Sequence, residues 1–142
     1  MSDLTMPADV REAFVADPRV GVLSIARAAG AAPLSTPVWY LYEPGGEVII
    51  NIGRDSEKAR LLDASPTASM CVQTETLPYR FVTLSGPVEV GPPDEEVRRA
   101  IAARYLPADR LEGYLASGDP DMSITIRIAP TSWFTNDYSR IA

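Results

Sequence analysis

Ser56 and Lys58, two positions apart in the segment Asn51-Ile52-Gly53-Arg54-Asp55-Ser56-Glu57-Lys58-Ala59-Arg60, are the side chains of this sequence best suited to hold an anion. Lys58 is the only lysine among 142 residues, in a chain that otherwise takes its positive charge from arginine. The serine hydroxyl can donate a hydrogen bond, and the lysine supplies a compact charge. Arg54 or Arg60 can add the forked donors that match phosphate oxygens. A strand ending at Ile52, a sharp turn at Gly53 and a helix opening near Asp55 or Ser56 would aim free backbone N–H groups at the same point, together with the positive end of the helix dipole. Such a junction is a ready phosphate site. On spacing alone a simpler reading stays open, an ordinary surface helix with Asp55 as its N-cap and Lys58 in solvent.

What the chain lacks narrows the chemistry. It has no histidine and one cysteine, Cys71, which removes the common zinc, copper and haem ligand sets and every histidine-based triad. No metal ligands and no acid, base or nucleophile stand out as catalytic, so an enzyme built on this chain would leave the chemistry to an organic cofactor. A net charge of −6 and a pI near 4.6 weigh against nucleic-acid or anionic-membrane partners. The lone cysteine permits no intrachain disulfide, residues 1–10 carry neither a basic nor an apolar leader, and no later run approaches a membrane span. A cytoplasmic protein is the expectation.

The elements that must position Ser56 and Lys58 follow from hydrophobic periodicity. A helix is expected over Pro7 to Asp17, across the mouth or end of a sheet, with Val10, Phe14 and Val15 on one face. Val20 to Ala26 and Leu34 to Tyr42 read as antiparallel strands. Pro44-Gly45-Gly46 is a hairpin signal leading into the strand Glu47 to Ile52. Asp55 to Ala64 reads as a capped helix that stops before Pro66. Ala68 to Glu75 and Tyr79 to Val90 are strands around a turn at Leu77-Pro78, the second bent or bulged by Gly86-Pro87. Asp94 to Tyr105 has an acidic first turn, with Arg98, Arg99 and Arg104 further on, which suits the helix dipole. Asp109 to Leu115 is a shorter helix, Ser123 to Ile128 an alternating strand with its isoleucines on one side, and Thr131 to Tyr138 a last strand. Mostly antiparallel strands with a few inserted helices, in one domain spanning 1–142, indicate a mainly β (α+β) fold, a small barrel with α additions.

Asn51, then Ser56-Glu57-Lys58-Ala59-Arg60-Leu61-Leu62-Asp63-Ala64-Ser65-Pro66, then Arg80 with Gly86-Pro87-Val88-Glu89, resemble the pyridoxamine 5′-phosphate oxidase superfamily of flavin- and deazaflavin-binding split β-barrels. The likeness runs from about Pro7 to Tyr138 and takes in Val20-Gly21-Val22-Leu23-Ser24, Ser35 to Tyr42 and Pro130-Thr131-Ser132-Trp133. It implies an antiparallel split barrel of six or more strands with flanking helices. It further implies a homodimer with the cofactor at the subunit interface, and a cofactor phosphate on Ser56 and Lys58. The cofactor ring would lie against Thr36-Pro37-Val38-Trp39, with Arg80 in reach; Asn51, Arg54 and Arg60 complete the implied cofactor-binding set.

The chain departs from the pyridoxamine phosphate oxidases themselves, which carry a C-terminal arginine and histidine signature. Through Arg104-Tyr105-Leu106 and the stretch Trp133 to Tyr138 it is more similar to short actinobacterial members assigned as oxidoreductases using the deazaflavin coenzyme F420. The resemblance therefore implies hydride transfer from reduced F420 to a small organic substrate. FMN is the alternative cofactor, and a non-catalytic flavin- or F420-storage protein is the alternative role.

Overall fold

The computed structural model describes residues 3–141. Among them seven strands and four helices follow the order α1 (Ala8–Ala16), β1 (Gly21–Ile25), β2 (Leu34–Val38), β3 (Val48–Gly53), α2 (Glu57–Ala64), β4 (Thr67–Gln73), β5 (Arg80–Gly91), α3 (Glu95–Tyr105), α4 (Ala108–Ala116), β6 (Ser123–Ile128) and β7 (Ser132–Asp137). Every pairing is antiparallel, in the order β2-β1-β4-β5-β6-β3, with β7 also on β5. The fold is an α+β split barrel in which β2 and β3 end the main strand order and β7 forms a further edge beside β5.

Alternation drives the curl. In β3, Val48, Ile50 and Ile52 are at most 4% exposed, and burying each such side chain contributes about 1.5–3 kcal/mol. They meet Ile126 and Ile128 of β6, Leu23 and Ile25 of β1, Met70 of β4 and Leu84 of β5 in one core. α1 closes one end of it with Phe14 and Val15.

β5 is long enough to serve both halves of the barrel. Residues Phe81 to Pro87 pair with β4, and Val88 to Gly91 pair with β6, so the strand changes partners at the bend expected at Gly86-Pro87. Gly86 is obligatory there, because a Cβ at that position would lie 1.8 Å from the Ala129 carbonyl oxygen where the β6–β7 connection crosses.

The hairpin expected between the second and third strands forms only in part. Gly45 takes the left-handed turn (φ +83°), and Leu41 and Ile49 exchange both backbone hydrogen bonds at 2.9 Å. The ladder goes no further, since β2 ends at Val38 and all six residues of β3 pair with β6. The reason lies in Tyr40 and Tyr42, which turn into the core at 0% and 4% exposure. The Tyr40 N–H then donates to the Tyr105 hydroxyl of α3 at 3.3 Å instead of to a neighbouring strand, and that hydroxyl donates to the Arg19 carbonyl at 2.6 Å. A side chain from α3 therefore holds open the seam between β2 and β3.

Candidate functional site

The seam holds a cavity of about 470 Å³, within the size range of small-molecule sites. Pro37, Val38 and Trp39 form one wall from the end of β2. Asn51, Ile52 and Gly53 form another from the end of β3, followed by Lys58. Arg98, Ile101 and Ala102 of α3 and Tyr114 of α4 supply the third. Trp39 stacks on Tyr105, with ring centroids 5.2 Å apart and an interplanar angle of 6°, and meets Tyr114 at 5.7 Å and 42°. These contacts tie the aromatic wall to both helices.

Ser56, not Asp55, caps α2. Its hydroxyl accepts from the Ala59 N–H at 3.2 Å and donates to the Gly53 carbonyl at 2.7 Å, which pins the helix start to the end of β3. Lys58 is the second residue of that helix and, among the described residues, enters no ion pair. A cation in the first turn opposes the helix dipole by about 0.3–1 kcal/mol, a cost that an anion placed beside both would reverse.

The remaining polar side chains of the cavity are mostly donors, the Tyr114 hydroxyl being able to accept as well. The Thr125 hydroxyl donates to Asn51 Oδ1 at 3.2 Å, which uses the acceptor end of that amide and leaves its two N–H groups. Trp39, Lys58 and Arg98 add donors, and among the described residues no carboxylate lines the cavity. The arrangement is complementary to a partly planar, acceptor-rich molecule bearing negative charge.

Of the ten residues assigned to a cofactor from the sequence, Pro37, Val38, Trp39, Asn51 and Lys58 line this cavity. Thr36 lies on the core side of β2, opposite Leu23, and its Oγ1 is buried without a hydrogen-bond partner. Arg54, Ser56 and Arg60 line a neighbouring groove with Asp55 and Asp63. There Arg60 is paired with Glu57, and the shared hydrogen bonds lower the carboxyl pKa and raise that of the guanidinium. Arg80 begins β5 opposite Asp137, and its guanidinium lies 5.1 Å from the Phe14 ring, away from the cavity lining. Val20 and the α3–α4 wall are not among the residues expected from the sequence to line a site. The signal for that wall was present, since Arg98, Ile101, Ala102 and Tyr105 stand at i, i+3, i+4 and i+7, one face of a helix.

The chain belongs to the pyridoxamine 5′-phosphate oxidase family, whose pattern it matches over residues 8–137. Its fold is shared by a conserved hypothetical protein of Mycobacterium tuberculosis, at 22% identity and a TM-score of 0.77, over 99% of this chain and 90% of that one. A solved F420 reductase aligns at 24% identity and a TM-score of 0.70, over 87% and 94%. An FAD-binding protein of Mesorhizobium loti aligns at 17% identity and a TM-score of 0.68, over 92% of both chains. No protein of curated function matches the chain. Among the described residues no helix is long and apolar enough to cross a membrane, and no group of three His, Cys, Asp or Glu side chains is placed to hold a metal ion.

Proposed function

We propose that this protein is a cytoplasmic oxidoreductase that holds coenzyme F420 in the seam cavity and uses it to reduce a small organic substrate, FMN being the alternative cofactor. The observation that carries the reading is the donor-rich lining: Lys58, Asn51 and Trp39 beside an aromatic wall, with no carboxylate among the described residues, in a chain of net charge −6. That lining fits a ring system rich in carbonyl acceptors with a phosphate attached. Bound in its reduced form, such a cofactor supplies a hydride for an electron-poor carbon of the substrate.

The residues of the chain bind, orient and exclude water. Lys58 and the first turn of α2 hold the phosphate. Arg54 and Arg60 serve the cofactor's acidic extension from the adjoining groove. Asn51 donates to a ring acceptor. Pro37, Val38 and Trp39 give the ring a largely apolar wall, which Thr36 backs from the core side of β2. Of the tryptophans that could seal a storage site, Trp39 lines the cavity, whereas Trp133 packs edge-on to Tyr42 and under Arg11 and does not.

The functional unit of this reading is a homodimer. Ser35, Ser24, Ser69, Ser85 and Ser132 form one continuous row across β2, β1, β4, β5 and β7. Pro37, Val22, Cys71, Thr83 and Phe134 form the next row. None of the ten is charged, Val22 is 42% exposed and Phe134 65%, which supports burial of this face against a second copy. Sedimentation velocity should find a dimer that Phe134→Asp dissociates, and a monomeric wild-type protein would refute the assembly.

Titration of the cofactor-free protein with F420 and, separately, with FMN, followed by ligand fluorescence, tests the cofactor. Saturable binding of F420 in preference to FMN is expected. Preference for FMN would move the protein to the alternative, and binding of neither would refute the reading.

A further inference from the structure

Arg98 is the second cation of the cavity and comes from a different wall than Lys58. Its side chain is only 10% exposed, yet its guanidinium is not fully engaged. Nη1 donates to the Glu95 carboxylate at 3.0 and 3.4 Å, and Nη2 to the Leu115 carbonyl at 3.0 Å. A guanidinium has five N–H groups, so these three contacts leave at least two donors. Glu95 balances the charge from outside, for it is 51% exposed and does not line the cavity. Gly118 leaves room for the guanidinium, since a Cβ there would come within 3.2 Å of Nη2. The guanidinium stands 5.9 Å from the centre of the Tyr114 ring, which in turn meets Trp39.

If Lys58 takes one anionic group, a second cation on another wall, its side chain only 10% exposed, calls for a second anion on a separate group. The same cavity is lined by Pro37, Val38, Ile101, Ala102 and the Trp39–Tyr114 pair, a surface for an apolar, flat body. We propose that Arg98 determines substrate specificity and that the substrate class is a planar, unsaturated organic acid, its carboxylate on the Arg98 guanidinium and its body against Trp39 and Tyr114. The assignment rests on the reading of this cavity as a joint cofactor and substrate site. It adds to that reading the charge of the molecule to be reduced.

The test uses the cofactor-free full-length protein, so that it is decided independently of the F420 and FMN titrations. Binding of 2-naphthoate and of its neutral counterpart 2-naphthamide is measured by calorimetry. The wild type is expected to prefer the carboxylate by about 10-fold or more, the scale of one charge-assisted hydrogen-bonded contact. Arg98→Met should abolish that preference while the amide still binds. Glu95→Gln, which leaves the Arg98 contact to Leu115 in place, should widen the preference by removing the competing carboxylate. Lys58→Met should retain it. Because Arg98 also ties α3 to α4, Glu95→Gln decides the matter should Arg98→Met fail to fold. Equal affinities for acid and amide in the wild type would overturn the proposal, as would a preference unchanged in Glu95→Gln or lost in Lys58→Met alone. An Arg98→Met protein that loses F420 affinity as Lys58→Ala is expected to do would assign Arg98 to the cofactor and overturn it too. Failure of both cofactor titrations with the naphthoate preference intact would refute the cofactor reading alone.

Discussion

Lys58 is placed where a cation weakens the isolated protein and strengthens a complex. In the first turn of α2 it opposes the helix dipole, and alanine is the better helix former at that position. Lys58→Ala should therefore leave the cofactor-free melting temperature unchanged or slightly raised. F420 affinity should fall by about 1.5–3 kcal/mol, the range of a charge-assisted contact. Calorimetric melting and fluorescence titration of one preparation check both halves, and unchanged affinity would remove Lys58 from the phosphate. Ser56 has a different task, since both its donor and one acceptor pair serve the helix start. The serine and lysine two positions apart thus divide into a residue that builds the corner and one that is free to bind at it.

At the scale of elements, β5 depends on a single missing side chain. With a Cβ 1.8 Å from the Ala129 carbonyl oxygen, Gly86→Ala must displace the β6–β7 connection. A loss of about 3 kcal/mol in urea denaturation is expected, at the upper end of overpacking effects. Gly86-Pro87 could be read as a bend in the sequence because both residue types are poor in the middle of a strand. The alternation Val48, Ile50, Ile52 likewise announced a buried strand face. Two features were not legible. The end of β2 at Val38 depends on Tyr105, sixty-odd positions later, presenting its hydroxyl to the Tyr40 N–H, and no local pattern encodes that meeting. The α3–α4 wall is not legible because Arg98 satisfies a local rule, a cation well inside a helix with an acidic first turn, and nothing near it in the sequence marks a cavity. Half of the proposed cofactor set lines the cavity because Pro37 to Trp39 and Asn51 stand in the C-terminal part of β2 and β3 or just beyond, and Lys58 in the first turn of the helix that follows β3. Arg80 was placed by likeness alone, and its distance from the cavity lining follows from the start of β5 lying near α1.

For the whole molecule, the buried tyrosines set an alkaline limit. Burial, followed by the hydrogen bond to Glu12 and the charge of that carboxylate, pushes the Tyr42 phenol from 10 up to about 12, and burial raises Tyr40 as well. The fold holds these protons more tightly than the unfolded chain does. Their contribution is therefore complete below about pH 10 and is lost as pH rises through 10 towards 12. Denaturation midpoints measured from pH 8 upward should fall across that window, and Tyr42→Phe should fall less steeply; a flat profile would contradict the assignment. The open seam itself carries a hazard of another kind. An edge strand with free backbone groups is a template on which foreign strands can grow into aggregates. β2 is such an edge, but its fourth residue is Pro37, which has no N–H to offer. A strand added there could not complete its ladder, so the proline that walls the cavity also keeps the barrel's opening from propagating as a sheet.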